Sequence, residues 1–339
     1  MEKYTISAEN LQAFVDGLFA EGHIIIRESD DGRGFVPAKK GEAVRFRSDE
    51  RPTKLSFKQQ VLPKTEPIFY YRKTVDDVGL FEPRAPEITT VVFGARPCDA
   101  KSVGTLSKVF NWDYKDEYFN TKADATVIVG IPCAYRDRHC FCTSVGLSPV
   151  SMDGSDIFLE RAQNGDYFVR VLTDKGASLL KAFPMLFADG TSVPDEPAAG
   201  EPGPEKRFDA AGVRQWISAN FDNPDWSSFG ENCVGCAQCA FVCPVCHCFD
   251  IVDENDGFLE GRRMKNWDAC QHGIFTKHAS GHNPRGDQGK RYRQRISHKF
   301  SYYPERFGEI LCTGCGRCSR GCAMGVDIAE IAEEIGAKI

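Results

Sequence analysis

The stretch "CVGCAQCAFVCP", from Cys233 to Pro244, sets four thiols at spacings of three, three and four and then stops on proline. "CTGCGRCSRGCA", from Cys312 to Ala323, repeats that spacing further along the chain. A CxxCxxC segment lets three thiolates converge on one compact inorganic cube while the backbone wraps its corner, and the fourth cysteine commonly reaches across to the neighbouring cluster. The pattern predicts two [4Fe–4S] clusters, one held by Cys233, Cys236, Cys239 and Cys322, the other by Cys312, Cys315, Cys318 and Cys243. Zinc takes pairs of ligands separated by a longer spacer, which suits neither run. Cys322 precedes Ala323 where Cys243 precedes Pro244. Proline's fixed φ helps set the turn after a ligand, and ligation is expected to survive its loss.

Fifteen cysteines in 339 residues are far more than an ordinary globular chain carries. A chain of this length does not need disulfides as its main staples, so metal ligation is the better use. The N-terminus is acidic and helical in pattern, with no secretory signal. The strongest apolar runs, "HIIIRE", "TTVVFGA" and "ATVIVGI", suit buried strands and fall short of a membrane span. The expectation is a protein of the reducing cytoplasm. A net charge of −6 and a pI near 5.7 argue against nucleic acid as the partner.

The periodicity predicts a helix over 7–20 capped by Ser7, strands at 23–27, 43–46 and 67–72, and two more in "TTVVFGA" and "ATVIVGI" with a helix after Pro97 between them. Asn164-Gly165 between alternating runs predicts a hairpin over 157–172, both turn positions wanting positive φ. The proline-, glycine- and acid-rich stretch 189–207 can bury little and reads as a linker. The fold class expected is α+β: a mixed α/β domain over 1–188, then a mainly α-helical ferredoxin-like two-cluster domain over 208–339. Within the latter come a helix near 209–220, the first run, an irregular polar insertion, the second run and a closing helix.

Four further cysteines, Cys98, Cys133, Cys140 and Cys142, precede the linker. Cys98 and Cys133 fall just past two buried strands, so parallel pairing would bring both thiols to one sheet edge. Four thiols at strand ends and in one loop are the right number for a third [4Fe–4S] cluster. Buried structural cysteines and tetrahedral zinc are the competing readings. Cys246, Cys248 and Cys270 are left over and read as a labile thiol pair, as extra cluster ligands or, most simply, as packing groups. His247 and His272 read as hydrogen-bonded residues, not ligands. The basic run Arg285, Lys290, Arg291, Arg293, Arg295 and Lys299, opposed only by Asp287, is either a solvated loop or a face that stabilises reduced clusters or docks an acidic partner. "DDGRGF" at 30–35 is a turn, without the strand–GxGxxG–helix order of a dinucleotide site.

Together, "GARPCDA", "DEYFNTKAD", "CFCTSVG", the two cysteine runs, "HNPRGDQGKRYRQRISHKF" and "GCGRC" resemble the iron–sulfur subunit family that includes the A subunit of anaerobic sulfite reductase and the beta subunit of cytoplasmic sulfhydrogenases. The resemblance spans about residues 65–328. It implies a non-catalytic electron-transfer subunit that relays electrons between a flavin subunit oxidising NAD(P)H and a catalytic subunit reducing sulfite or sulfur, or handling hydrogen or a disulfide. The chain has no siroheme, nickel or flavin signature, so that chemistry belongs to partners. The alternative enzyme is a cluster-dependent thiol or disulfide reductase acting through Cys246, Cys248 or Cys270. A cluster-containing sensor or nucleic-acid protein would use 285–299 as its contact.

Overall fold

The computed structural model describes residues 1–198 and 203–339. Residues 199–202 of the expected linker lie outside that description. The chain is a mixed α/β structure. Strand β1 (Glu2–Ile6) leads into α1 (Ala8–Ala20), where the Ser7 hydroxyl accepts from the Asn10 N–H and the buried stripe is Leu11, Phe14, Val15 and Leu18. Next come β2 (Ile24–Glu28) and β3 (Phe35–Pro37), then the pair β4 (Thr65–Lys73) and β5 (Val78–Phe81). After them run β6 (Thr90–Ala95), α2 (Pro97–Phe110), α3 (Glu117–Asp124) and β7 (Thr126–Gly130). The half closes with β8 (Ile157–Arg161), β9 (Tyr167–Val171), α4 (Asp174–Lys181) and β10 (Ala188–Asp189).

Among the described residues, eight strands form one sheet in the order β10-β1-β9-β8-β7-β6-β2-β3. Its centre, β2, β6, β7 and β8, is parallel. Parallel strands covered on both faces need apolar residues at every position, and the period-two alternation sorts them. Ile25, Val91, Phe93, Val127 and Val129 face α1 and α4, while Ile26, Val92 and Ile128 join Phe57 and Ala100 on the other side.

Two local expectations change. Residues 43–46 form no strand. The Val44 N–H is taken by the Gln12 side chain at 3.1 Å, and Val44 and Phe46 pack on the core as side chains only. The 157–172 hairpin is present, but only Gly165 of its turn has positive φ, and the Ala162 N–H donates to the Asp166 carbonyl at 2.8 Å. The loop is wider than a two-residue turn, so Asn164 keeps ordinary backbone angles.

The remainder holds α5 (Ala210–Ala219), α6 (Asp225–Gly230), the single turn α7 (Gln238–Phe241), and the hairpin β11 (Phe249–Asn255) and β12 (Glu260–Trp267). Helix α8 (Gln288–Ser297), a π-helical turn over His298–Tyr302, α9 (Tyr303–Phe307), α10 (Arg317–Arg320) and α11 (Ile328–Gly336) complete the chain. The insertion between the cysteine runs is therefore not irregular throughout. It folds because "FDIVDEN" and "EGRRMKNW" flank a turn at Asp256-Gly257, and β12 pairs antiparallel with β4 in a second sheet ordered β11-β12-β4-β5.

That shared sheet joins the two halves, and a helical core completes the joint. Phe141 from the first half is fully buried among Phe208, Tyr292, Phe300 and Ile328. The Tyr303 hydroxyl donates to the Thr105 carbonyl at 2.7 Å.

Candidate iron–sulfur centres

In each cysteine run the backbone turns back twice through left-handed residues at matching places: Gly235 and Ala237 in the first, Gly314 and Gly316 in the second. Left-handed φ is free for glycine and costs other residues about 1 kcal/mol or more. Those turns aim successive cysteines inward. Cys233, Cys236, Cys239 and Cys322 line one cavity, walled by Tyr292, Arg295, Met324 and Val326. This is the cross-run set expected for the first cluster. Cys236 is exposed at its mouth. The Gln288 amide donates to the Cys233 sulfur at 3.1 Å and the Val326 N–H to the Cys322 sulfur at 3.4 Å.

The second set, Cys312, Cys315, Cys318 and Cys243, lies deeper. The Lys299 ammonium, 2 % exposed, stands 3.5 Å from the Cys243 sulfur and 3.0 Å from the Leu311 carbonyl. Desolvation pulls the Lys299 pKa down, but the opposing Cys243 and Cys246 thiols outweigh it and the net displacement is upward. Burial pushes the Cys239 thiol up to about 11 and the Cys312 thiol up to about 12. Such thiols are protonated when free, so ligation releases protons.

Cys98, Cys133, Cys140 and Cys142 line a further cavity with Cys315 as its fifth sulfur. The fold explains the convergence. Strands β6 and β7 are parallel neighbours, Cys98 sits in the first turn of α2, and the Cys133 N–H donates to the Pro149 carbonyl at 2.8 Å. The Phe141 N–H donates to the Gly314 carbonyl at 2.9 Å, which lays the Cys140–Cys142 loop against the second run. Pro52, Pro97, Pro149 and Pro204 make the wall apolar. Arg320 reaches the Cys140 sulfur at 3.2 Å and Arg96 the Cys133 sulfur at 3.8 Å. Burial pushes Cys140 up to about 11 and Cys142 up to about 12.

Among the described residues no three His, Cys, Asp or Glu side chains converge as they would round a single metal ion. The sulfurs of the first and third sets instead line cavities, while Cys312, Cys315 and Cys318 of the second set line three different ones. When bound, an iron–sulfur cluster carries one electron at a time at a potential set by charge, hydrogen bonds and exposure.

The basic run is not a single exposed face. Residues 288–297 are helical, and Arg295 and Lys299 turn inward to the cysteines. Arg293 caps the Phe221 carbonyl and pairs with Asp222, and Lys290 pairs with Asp287. His247 bonds the Val245 carbonyl and His272 bonds Asp268, as expected of non-ligands. Sequence reasoning missed Arg317 and Arg320, which flank Cys318 and bind Asp99 and Asp137 of the first half. Their signal was an arginine on either side of a ligand in "GRCSRGC".

Comparison with known proteins agrees with this geometry. Residues 232–326 match the family described as a 4Fe-4S dicluster domain. The chain is 29 % identical over 328 residues to sulfhydrogenase 2 subunit beta of Pyrococcus furiosus, covering 91 % of this chain and 94 % of that one. No solved structure matches the chain. The resemblance drawn from the motifs thus holds, and the chain is an iron–sulfur protein of electron-transfer type. Among the described residues no helix is long and apolar enough to cross a membrane.

Proposed function

We propose that this dicluster protein, similar along nine-tenths of its length to a sulfhydrogenase beta subunit, is the electron-relay subunit of a cytoplasmic multisubunit oxidoreductase. The observation that carries the reading is the overlap of the three sulfur sites. Cys318, of the second set, also lines the first cavity, and Cys315, of the same set, also lines the third. Three adjoining sites in a row form a path, whereas a substrate pocket would be a single cleft with reactive groups. The third site is read as a [4Fe–4S] site on its four cysteines, and the parts 1–188 and 208–339 as the two units that it joins.

The chain's own residues fit that task. Arg295 and Lys299 hold fixed positive charge beside sulfur, which favours added electrons. Prolines give the third cavity an apolar wall. Cys236 and Val234, 66 % exposed, open the first site to a partner surface. The relative's printed name, subunit beta of a sulfhydrogenase, supports partner subunits, and on the motif resemblance these are read as a catalytic redox subunit and, at the other end, a flavin subunit oxidising NAD(P)H.

The test is iron and acid-labile sulfide on the anaerobically reconstituted full chain, with EPR of the reduced form. At least about twelve irons per chain, about four of them lost on replacing Cys98, Cys133, Cys140 and Cys142 by serine, supports three sites in series, and about eight confines the path to the dicluster region. A chain without acid-labile sulfide overturns the proposal.

A further inference from the structure

Cys246, Cys248 and Cys270 remain outside those sites, yet the fold gathers them. The register of the β11–β12 hairpin sets Phe249 opposite Trp267, and just beyond it the Asp268 N–H donates to the Cys248 carbonyl at 2.9 Å. The hairpin thus brings Cys248 beside Cys270, and Cys246 lies beside Cys243.

Buried positive charge surrounds this group. Arg295 lies 3.7 Å from the Cys246 sulfur and 3.2 Å from the Cys239 carbonyl. Lys299 meets Cys243. Lys58, 3 % exposed, sends its ammonium to the Cys246 carbonyl at 2.8 Å and over the Trp267 ring at 3.9 Å. These cations bond carbonyls, sulfurs and a ring, not carboxylates. A buried ion without a counter-charge costs several kcal/mol. The first two sites supply anionic sulfur to Arg295 and Lys299. Among the described residues Lys58 has no direct bond to a sulfur of either site and its side chain bonds a neutral carbonyl, so an anion beside Cys246 would compensate its charge.

We propose that Cys246, Cys248 and Cys270 hold a fourth metal centre, of iron–sulfur type, next to the Cys243 end of the second site. Each thiol releases its proton to solvent as its sulfur bonds iron, and the resulting anionic centre faces Lys58. Cys248 lies beside both Cys270 and Cys246, and the group's place next to the second site favours iron–sulfur chemistry over one zinc ion. Three cysteines also leave one iron without a cysteine from this group. The inference rests on the first two sites binding iron–sulfur clusters and is independent of the third.

The full chain would be reconstituted anaerobically with iron and sulfide in three forms: wild type, a variant carrying Cys246→Ser, Cys248→Ser and Cys270→Ser, and a variant carrying Cys98→Ser, Cys133→Ser, Cys140→Ser and Cys142→Ser. Metal analysis and Mössbauer spectra are read on each. The expected result is a loss of about three to four irons per chain in the triple variant with the EPR signals of the dicluster sites intact, and a similar, separate loss in the quadruple variant. Lys58→Met, which keeps all three sulfurs, should lower retention of the fourth centre alone. Iron unchanged in the triple variant, with Cys248 and Cys270 found as a reversible disulfide, overturns the inference in favour of a dithiol pair. Loss of zinc in place of iron overturns it too. Should the triple variant fail to fold, the quadruple variant decides: about eight irons or fewer in it counts against the fourth centre. No iron in any form defeats the relay reading itself.

Discussion

Arg317 forks onto both carboxylate oxygens of Asp99 at 2.6 and 2.8 Å, with both side chains essentially inaccessible to solvent. Arg317 lies between Cys315 and Cys318, and Asp99 follows Cys98. One ion pair therefore fixes the second sulfur site against the third. The Arg317 Nε also donates to the Thr53 carbonyl at 2.6 Å, so the guanidinium is held at three points.

Breaking that pair from one side leaves a charge buried without a partner, which costs about 3–5 kcal/mol. Asp99→Ala is expected to lower the unfolding free energy by that amount, read from a lowered denaturant midpoint at unchanged m. Adding Arg317→Met should recover part of the loss, because the unpaired charge is then gone. A single-variant cost below about 1 kcal/mol, the range of an exposed ion pair, would contradict this account.

The matched left-handed residues of the two cysteine runs should respond oppositely to substitution. A Cβ at Gly316 would collide with the His139 carbonyl, and one at Gly314 with the Cys142 backbone. Gly316→Ala is expected to cost about 1–2 kcal/mol from φ alone and more from the clash, and to loosen the Cys140–Cys142 loop. Ala237→Gly relieves the same strain in the first run and should be neutral or stabilising by up to about 1 kcal/mol. Melting and iron content of both variants check this, and equal destabilisation would be against it.

Lys299→Met removes a buried positive charge 3.5 Å from the Cys243 sulfur. A hydrogen bond to a charged group contributes about 1.5–3 kcal/mol, and a one-electron potential moves about 59 mV for each tenfold change. The second site should therefore become harder to reduce by roughly 60–130 mV. Arg293→Met, which removes a charge engaged with Asp222 and Phe221, serves as the control and should leave the potential unchanged. An EPR-monitored redox titration that finds both variants alike would separate Lys299 from potential tuning.

Local signals carried the sequence reading furthest. The doubled spacing of the cysteine runs pointed to a two-cluster region, in keeping with the dicluster match over 232–326, and Cys233, Cys236, Cys239 and Cys322 line one cavity together with Cys318. The helices at 8–20 and 210–219 and the central strands followed from periodicity and caps. What stayed hidden depends on contacts distant in sequence. Val44 and Phe46 have a strand-like pattern, but a side chain of α1 occupies the backbone donor. The β11–β12 segment reads in sequence as an irregular polar insertion, because its pairing with β4 joins segments from opposite sides of the linker. Cys315 facing the first-half cysteines, and Lys58 facing Cys246, depend on that same joint.

His298 packs edge-on against the His247 ring at 5.3 Å, with Lys299 and Arg285 adding positive charge nearby. Burial first, and then His247 and those cations, pull its pKa down to about 3. An unfolded histidine titrates near 6.5. Between those values the unfolded chain binds a proton that the folded chain refuses, so stability falls as pH drops below about 6.5, by up to about 1.4 kcal/mol per unit, until about 3. The slope of unfolding free energy against pH, measured between about pH 5 and 7 where this titration begins, should be shallower in His298→Gln by up to one proton's worth. His247, pulled down to about 4 mainly by burial, contributes a similar slope that survives in the variant. Identical slopes in wild type and variant would show that His298 already carries its proton in the folded protein.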